Sequence, residues 1–329
     1  MRVLLTGAGG FIGAHIASAL LARGIEVHAV VRNPRRAARL ESIAMRAEGS
    51  GDSNDSAGAS GHLVIHEADL LDPVARDRVI QAASPELCIH AAWYAVPGRY
   101  LAATENLEHV AASLALAAAL VHAGCTRFVG LGTCFEYDTS TTENLTESSP
   151  TAPRFLYATC KLALCQMLAA YAPIANLSFA WCRVFYQYGP QEPAERLVPA
   201  VIDRLLAGGT AETTEGAQIR DFLHVADVGE AIARVALSDL QGAVNIGSGV
   251  PLTVRRLVST LARLCDAEDR VSFGALPYRD GDPMHVCADV TRLATTGFTP
   301  RFDLEGGLRD VVEDRRARAA RRGVVGSGA

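Results

Sequence analysis

Two side chains four residues apart, Tyr157 and Lys161, could together transfer a proton. Residues at this spacing lie on the same face of a helix, about one turn from each other. A free phenol titrates near pH ~10. A neighbouring ammonium favours the phenolate, so we expect Lys161 to lower the pKa of Tyr157 toward the range of a working catalyst. Because the same spacing also occurs on solvated helix faces, the pair needs support from the rest of the chain.

A glycine-rich stretch near the N-terminus predicts a dinucleotide site. It follows the apolar run Arg2–Thr6, which is typical of a buried parallel strand, and it precedes an apolar helical segment. Strand, glycine turn and helix in this order are the context that a dinucleotide fingerprint requires. Its glycines allow a tight turn, close approach of a pyrophosphate and close packing of helix on strand. We assign five residues of this turn to the cofactor: Gly7, Gly10, Phe11, Ile12 and Gly13.

The end of the second predicted strand, Glu26–Val31, indicates which dinucleotide binds. Folds that bind NAD usually place an acidic residue here for the ribose 2′-hydroxyl, whereas arginine suits the 2′-phosphate of NADP. The strand is followed by Arg32, with Arg35 and Arg36 just beyond. We therefore predict NADP(H) in preference to NAD, with Arg32 at the cofactor. The alternative is that these arginines only begin a solvated helix.

Strands and helices alternate through the first half of the chain and predict a Rossmann-type, doubly wound parallel sheet of the α/β class. Further strands are expected at 62–66, 86–90 and 127–131, and a long helix at about 99–123. In such sheets the chemistry lies at the carboxyl ends of the strands. The residues that follow three of these strands are therefore site candidates: Asp69 and Leu70 for the adenine, Ala91 and Ala92 for close approach of the cofactor, and Thr133.

The chain is expected to divide into a nucleotide-binding domain and a smaller α/β lobe that binds the substrate. Residues 1–175 form the first in this prediction, with a polar surface loop at 47–61 and a returning segment at about 215–245. Residues 176–329 form mainly the second, because the pattern changes to shorter elements. The end of the chain, 315–329, lacks an apolar stripe and is predicted to be a flexible tail.

Composition argues against several functional classes. The 329-residue chain is 49% hydrophobic with a formal net charge of −5, which argues against a nucleic-acid-binding surface. Its eight cysteines are scattered singly, a spacing that favours reduced thiols of a cytoplasmic protein over a metal site. No stretch is long and apolar enough to span a bilayer, so we expect neither a membrane nor a metal partner.

With Thr133 and the Tyr157–Lys161 pair, the chain resembles the extended short-chain dehydrogenase/reductase family, in the branch of NDP-sugar epimerases, dehydratases and reductases. The resemblance implies that Tyr157 exchanges a proton with the substrate, that Thr133 binds the same oxygen and that Lys161 binds the nicotinamide ribose. It also implies a homodimer built through helices at 99–123 and 155–172. The motifs follow the family order: Gly7 to Gly13, His90 to Ala92, Arg183 to Pro190, Arg220 to Val228 and Asn245 to Gly249.

The same resemblance implies a nucleotide-diphosphate sugar as substrate. Arg220 and Arg279 match family arginines that bind the diphosphate, for which a guanidinium is well suited. A surface salt bridge is the alternative for each. Glu136 either faces the substrate or anchors its loop. The residues assigned to the substrate are Trp93, Cys134, Glu136, Tyr186, Val198, Arg220 and Arg279.

Two departures from the family pattern narrow the expected chemistry. Sugar 4,6-dehydratases follow the threonine with an acidic pair, whereas here Cys134 and Phe135 follow Thr133. The stretch from Thr133 to Tyr137 looks closest to reductases of 4-keto-deoxysugar nucleotides, so we expect NADPH-dependent reduction of a nucleotide-linked keto-sugar, at C4. The alternatives are an NDP-sugar 4-epimerase that retains NAD and a non-catalytic dinucleotide sensor on the same fold.

Overall fold

In a computed structural model of the chain, residues 1–33, 40 and 61–326 are described, with side chains up to residue 321. Arg35, Arg36 and the loop predicted at 47–61, apart from its last residue, lie outside the described residues. The strands are β1 Arg2–Thr6, β2 Glu26–Val31, β3 Leu63–Glu67, β4 Leu87–His90, β5 Arg127–Thr133, β6 Ser178–Val184, β7 Tyr186–Tyr188, β8 Ala211–Glu212, β9 Ile219–Arg220, β10 Phe222–His224, β11 Gly242–Ile246, β12 Leu252–Thr253, β13 Val271–Ser272 and β14 His285–Val286. The helices are α1 Gly13–Leu21, α2 Pro73–Ala83, α3 Glu105–His122, α4 Leu156–Ile174, α5 Leu197–Leu206, α6 Val225–Leu237, α7 Val254–Leu264, α8 Thr291–Ala294 and α9 Leu304–Gly326.

Seven strands form one parallel sheet in the order β11-β6-β5-β4-β1-β2-β3. Helices cover both faces, with α1 and α6 packed together on one side and α2, α3 and α4 on the other. Strand β1 shows that both faces of the sheet are buried. Val3 and Leu5 point into one core layer and Leu4 into the other, and all three are fully buried. The predicted doubly wound α/β fold is confirmed.

The parallel sheet contains more residues from the second half of the chain than the sequence predicted. Strand β6 begins at Ser178, beyond the expected boundary at residue 175, and β11 runs to Ile246, beyond the expected return at 215–245. Between them, α6 packs on α1, where Gly229 lies so close to His15 that an added Cβ would sit 2.5 Å from its backbone carbon. Contacts of this kind between distant segments do not show in local sequence pattern.

The remaining elements build a second lobe around its own apolar core, formed by α5, α7 and α9. Residues 315–326, predicted as a flexible tail, instead continue α9. The prediction was wrong because the apolar stripe lies earlier in the same helix, where Leu308, Val311 and Val312 are buried in the lobe core. Ion pairs of Arg315 with Asp203 and of Arg318 with Asp314 then support the following turns.

Among the described residues, no helix combines the length and apolarity needed to cross a membrane. Within the same ranges, no group of three or more His, Cys, Asp or Glu side chains could hold a metal ion.

Candidate active site

A cleft of about 880 Å³ lies at the carboxyl ends of β1 to β4. The strand order reverses between β1 and β4, and ligands of open α/β sheets bind at such a switch point. The residues predicted to bind cofactor, other than Tyr157 and Lys161, all line this cleft: Gly7, Gly10, Phe11, Ile12, Gly13, Arg32, Asp69, Leu70, Ala91 and Ala92.

The glycine turn can be built only without side chains at two positions. Gly7 has φ of +67°, and a Cβ there would lie 2.7 Å from the backbone of Ala91. A Cβ on Gly13 would lie 2.2 Å from the carbonyl oxygen of Gly7. At Gly10 the same distance is 3.0 Å, so the fit is less strict. The turn therefore brings the N-terminus of α1 and bare backbone to the cleft.

A buried polar chain, which the sequence did not predict, ties β4 to β1. The Ser113 hydroxyl donates to the His109 carbonyl oxygen (2.6 Å), so it accepts from Nε2 of His90 (2.8 Å). Nδ1 of His90 then accepts from the Thr6 hydroxyl (2.8 Å), whose oxygen accepts from Ala92 N–H (3.1 Å). Burial, with Lys161 nearby, lowers the pKa of His90 to about 3, so the imidazole is neutral and fixes the backbone that lines the cleft.

Thr133 ends β5, and Tyr157 lies in the first turn of α4, so the two predicted side chains come from neighbouring elements. The edge of the Tyr157 ring meets Tyr100, with ring centroids 4.9 Å apart, and a second edge contact joins it to Trp93. Burial raises the pKa of the Tyr157 phenol well above its usual range, and a hydrogen bond with the Thr133 side chain acts in the opposite direction. The sequence predicted a lowered pKa. The direction is reversed because burial outweighs the favourable contacts.

Lys161 is buried beneath Trp93. Its Nζ donates to the Leu131 carbonyl oxygen (2.7 Å) and lies 3.7 Å from the centre of the Trp93 ring. The indole is held in turn by a hydrogen bond from its Nε1 to Asn106 (2.7 Å) and by stacking on His109. Burial lowers the pKa of Lys161 to about 7, so its charge changes close to neutral pH.

Glu136 has the contacts of a loop anchor, which differ from those expected for the substrate-facing role to which it was assigned. Its side chain is fully buried and accepts from Thr133 N–H (2.9 Å), from Trp181 Nε1 (3.0 Å) and from Arg183 Nε (2.8 Å). The ion pair with Arg183 spans β6 and the 3-10 turn Cys134–Glu136. This network was missed because Trp181 and Arg183 lie more than forty residues away in sequence.

Three other residues assigned to the substrate, Cys134, Tyr186 and Val198, have different surroundings. Cys134 is buried, and burial raises the pKa of its thiol to about 12. Tyr186 contacts the ring of Phe135 and the guanidinium of Arg220. Val198 is buried in the core of the second lobe, where α5 turns this side chain toward α7 and α9. Like Cys134 and Tyr186, it is not among the residues that line the cleft.

The two predicted arginines differ in their surroundings. Arg220 is buried and forms an ion pair with Asp282 (2.9 Å). Because Arg220 is buried, this contact is not the surface salt bridge considered as the alternative, and its partner Asp282 lies in the loop that carries Arg279. Arg279 itself is exposed. Arg32, which lines the cleft directly after β2, is also exposed.

Comparison with known protein families identifies the family of this chain. The model of the NAD dependent epimerase/dehydratase family matches residues 3–247. The chain belongs to this family. It is 28% identical to a dTDP-glucose 4,6-dehydratase of an Actinoplanes species, over 96% of this chain and 98% of that protein. It is 29% identical to a UDP-glucose 4-epimerase of Azospirillum brasilense, over 96% of this chain and 92% of that protein.

A solved structure of the family has the same fold. The dTDP-glucose 4,6-dehydratase of Streptomyces venezuelae, with NAD bound, matches with a TM-score of 0.82 at 26% identity, over 97% of this chain and 98% of that one. The extended short-chain dehydrogenase/reductase resemblance is thus confirmed. These relatives are named as dehydratases and an epimerase, and none of the three is named as a keto-sugar reductase.

Proposed function

We propose that this protein reduces a keto group, at C4, of a nucleotide-linked sugar with NADPH. The observation that carries the proposal is that Tyr157 and Thr133 meet at the end of β5, beside a dinucleotide cleft that Arg32 lines directly after β2. The family membership supports a dinucleotide cofactor, and the names of the relatives state that they act on nucleotide sugars.

The cleft suits a nicotinamide dinucleotide. Gly7 and Gly13 allow the tight turn, because a Cβ at either position would collide with neighbouring backbone, and the N-terminus of α1 supplies N–H groups for a pyrophosphate. Asp69 and Leu70 would flank the adenine. Arg32 favours a 2′-phosphate, and hence NADPH, even though the Streptomyces venezuelae structure contains NAD. When bound, the nicotinamide supplies hydride.

Each member of the proposed triad has a separate task. Tyr157 donates its proton to the carbonyl oxygen of the substrate. Its raised pKa keeps the phenol protonated at neutral pH but makes it a weaker acid than a group whose pKa matches that pH. Thr133 hydrogen-bonds the same oxygen and holds it in position. Lys161 binds the nicotinamide ribose, for which its ammonium must leave the Leu131 carbonyl or share it.

Dehydration is not the proposed reaction, despite the dehydratase relatives. The two positions after Thr133 carry Cys134, a buried neutral thiol, and Phe135, an apolar ring. The nearest carboxylate, Glu136, is committed to Arg183 and Trp181. No side chain in this turn is therefore available for the acid–base step of water elimination. Trp93, Tyr186, Arg220 and Arg279 are the remaining candidates for contacts with the sugar nucleotide.

A 4-epimerase is the second candidate, and the Azospirillum brasilense relative favours it. The same triad would oxidise C4 and then reduce it from the other face. Such an enzyme retains its dinucleotide through the cycle, whereas a net reductase must exchange it. The nucleotide released from purified protein by denaturation therefore distinguishes the two: tightly held NAD, without NADPH consumption on 4-keto-sugar nucleotides, would favour the epimerase.

The direct test is NADPH oxidation with dTDP-4-keto-6-deoxyglucose as substrate. Tyr157→Phe is expected to lower turnover by about 10²–10⁴-fold, the usual contribution of a general acid, with NADPH affinity nearly unchanged. Tyr171→Phe, on the same helix, is the matched control and should retain full activity. A Tyr157→Phe variant with near-normal turnover would refute the proposed proton transfer.

We also propose that the protein is a cytoplasmic homodimer. The eight cysteines are all free and buried, which suits a reducing compartment. Helices α3 and α4 pack side by side and expose Leu107, Met167 and Ile174, which a second copy could cover. Light scattering on the purified protein tests the dimer, and a monomer at micromolar concentration would contradict it.

A further inference from the structure

Glu192 lies in the cleft but has no part in the chemistry described above. It belongs to the segment after β7 and lines the cleft with Gln187, Pro193 and Arg196, the contribution of the later part of the chain. The side chain is only 8% exposed. A buried carboxyl without a clear structural role is unusual in a protein interior.

The carboxyl group of Glu192 is only half satisfied. The backbone N–H of Gly189 donates to it. Oε2, which is buried, has no hydrogen-bond partner among the residues that the structure describes. The large majority of buried side-chain polar atoms have a hydrogen-bond partner, so an orphan of this kind requires an explanation. A ligand in the cleft is the explanation that this location offers.

The charges around Glu192 do not neutralise it. Arg196 and Arg315 both attract its ionised form, yet Arg315 is already paired with Asp203 on α5. A further charged neighbour, Asp314, accepts a hydrogen bond from the backbone N–H of Gln191 and is acidic, so it cannot offset the charge of an ionised Glu192. Burial outweighs these contacts and raises the pKa of Glu192 to about 8, so the carboxyl is mostly neutral at pH 7. A neutral carboxyl suits a neutral ligand group and is poorly suited to a cation.

We propose that Glu192 is a ligand-binding residue whose carboxyl group turns its unpartnered, buried oxygen toward the cleft and hydrogen-bonds a neutral polar group of the molecule there. Two sources share this chemistry: a hydroxyl of the sugar and the carboxamide of the nicotinamide. The proposal deepens the function proposed above and rests on it for the identity of these ligands. Its test measures binding and needs no turnover, so the two can fail separately.

The experiment compares Glu192→Leu, which removes the hydrogen-bonding group, with Glu192→Gln, which keeps a neutral one. Glu195→Leu is the matched control, because Glu195 is exposed on the same segment. Affinities for NADP⁺ and for dTDP-glucose are measured separately by calorimetry. Glu192→Leu is expected to weaken one of them by about 3–10-fold, as for a single lost hydrogen bond. Glu192→Gln should stay within about twofold of the wild type.

The thermal midpoint provides a second readout. Replacing an orphaned buried carboxyl by leucine relieves a buried polar group, so Glu192→Leu should melt at the same temperature as the wild type or higher. Weaker NADP⁺ binding alone identifies the carboxamide, and weaker dTDP-glucose binding alone identifies a sugar hydroxyl. Unchanged affinity for both would overturn the proposal. So would a lower midpoint with equal losses for both ligands, because that pattern indicates a structural role.

Discussion

Glu136→Gln separates the two roles that the sequence left open for this residue. Glutamine keeps the shape of the side chain and an oxygen that can accept from Thr133 N–H and Trp181 Nε1. It replaces the oxygen that faces Arg183 by an amide, so the buried guanidinium loses its ion pair. If Glu136 anchors the loop, the loss appears in stability. If it faces the substrate, the loss appears in catalysis.

The expected loss of stability follows from the burial of the pair. Both side chains are at least nine-tenths buried, and breaking a buried ion pair by removing one partner costs about 3–5 kcal/mol. Unfolding 329 residues releases about 0.7 kcal/mol/K of entropy near the midpoint. Glu136→Gln is therefore expected to lower the thermal midpoint by about 4–7 °C.

Calorimetry at pH 7 measures the midpoint, with Glu143→Gln on the exposed loop as a control that should shift it by less than about 1 °C. Adding Arg183→Met to Glu136→Gln removes the unpaired charge and should recover part of the loss. Below the transition, turnover of Glu136→Gln should remain within a few-fold of the wild type. A normal midpoint combined with a large fall in turnover would refute the anchoring role.

Three further changes test the cleft, the buried lysine and the last helix. Gly13→Ala should abolish measurable dinucleotide binding in calorimetry, because its Cβ would lie 2.2 Å from the Gly7 carbonyl oxygen; near-normal affinity would contradict the tight turn. Burial lowers the pKa of Lys161 from 10.5 to about 7, so the unfolded chain binds an extra proton between these values and stability rises with pH across this window. Lys161→Met should flatten that rise in thermal midpoints recorded from pH 7 to 10. An unchanged slope would contradict the lowered pKa of Lys161. Leu308→Ala on α9 should lower the midpoint by about 3–7 °C, from a cavity cost of about 2–5 kcal/mol, whereas the exposed Arg309→Ala should change it little; equal shifts would contradict the buried stripe.

Features that depend on local backbone could be predicted from the sequence. The apolar run of β1 and the glycines after it specify a strand and a turn at once, because Gly7 needs a positive φ and Gly13 leaves no room for a Cβ. Strand β2 was predicted with its observed bounds, Glu26–Val31, for the same reason of local pattern. The four-residue spacing also put Tyr157 and Lys161 on one helix.

Features that depend on contacts between distant segments were decided only by the tertiary structure. The carboxylate oxygens of Glu136 accept hydrogen bonds from side chains of β6, and His90 is held by Thr6 across 84 residues of sequence. The pKa of Tyr157 rises instead of falling, because burial by the surrounding segments outweighs the contacts that favour the phenolate. Local pattern reveals which residues share a turn or a helix, but desolvation and hydrogen-bond partners depend on every segment that folds over a site.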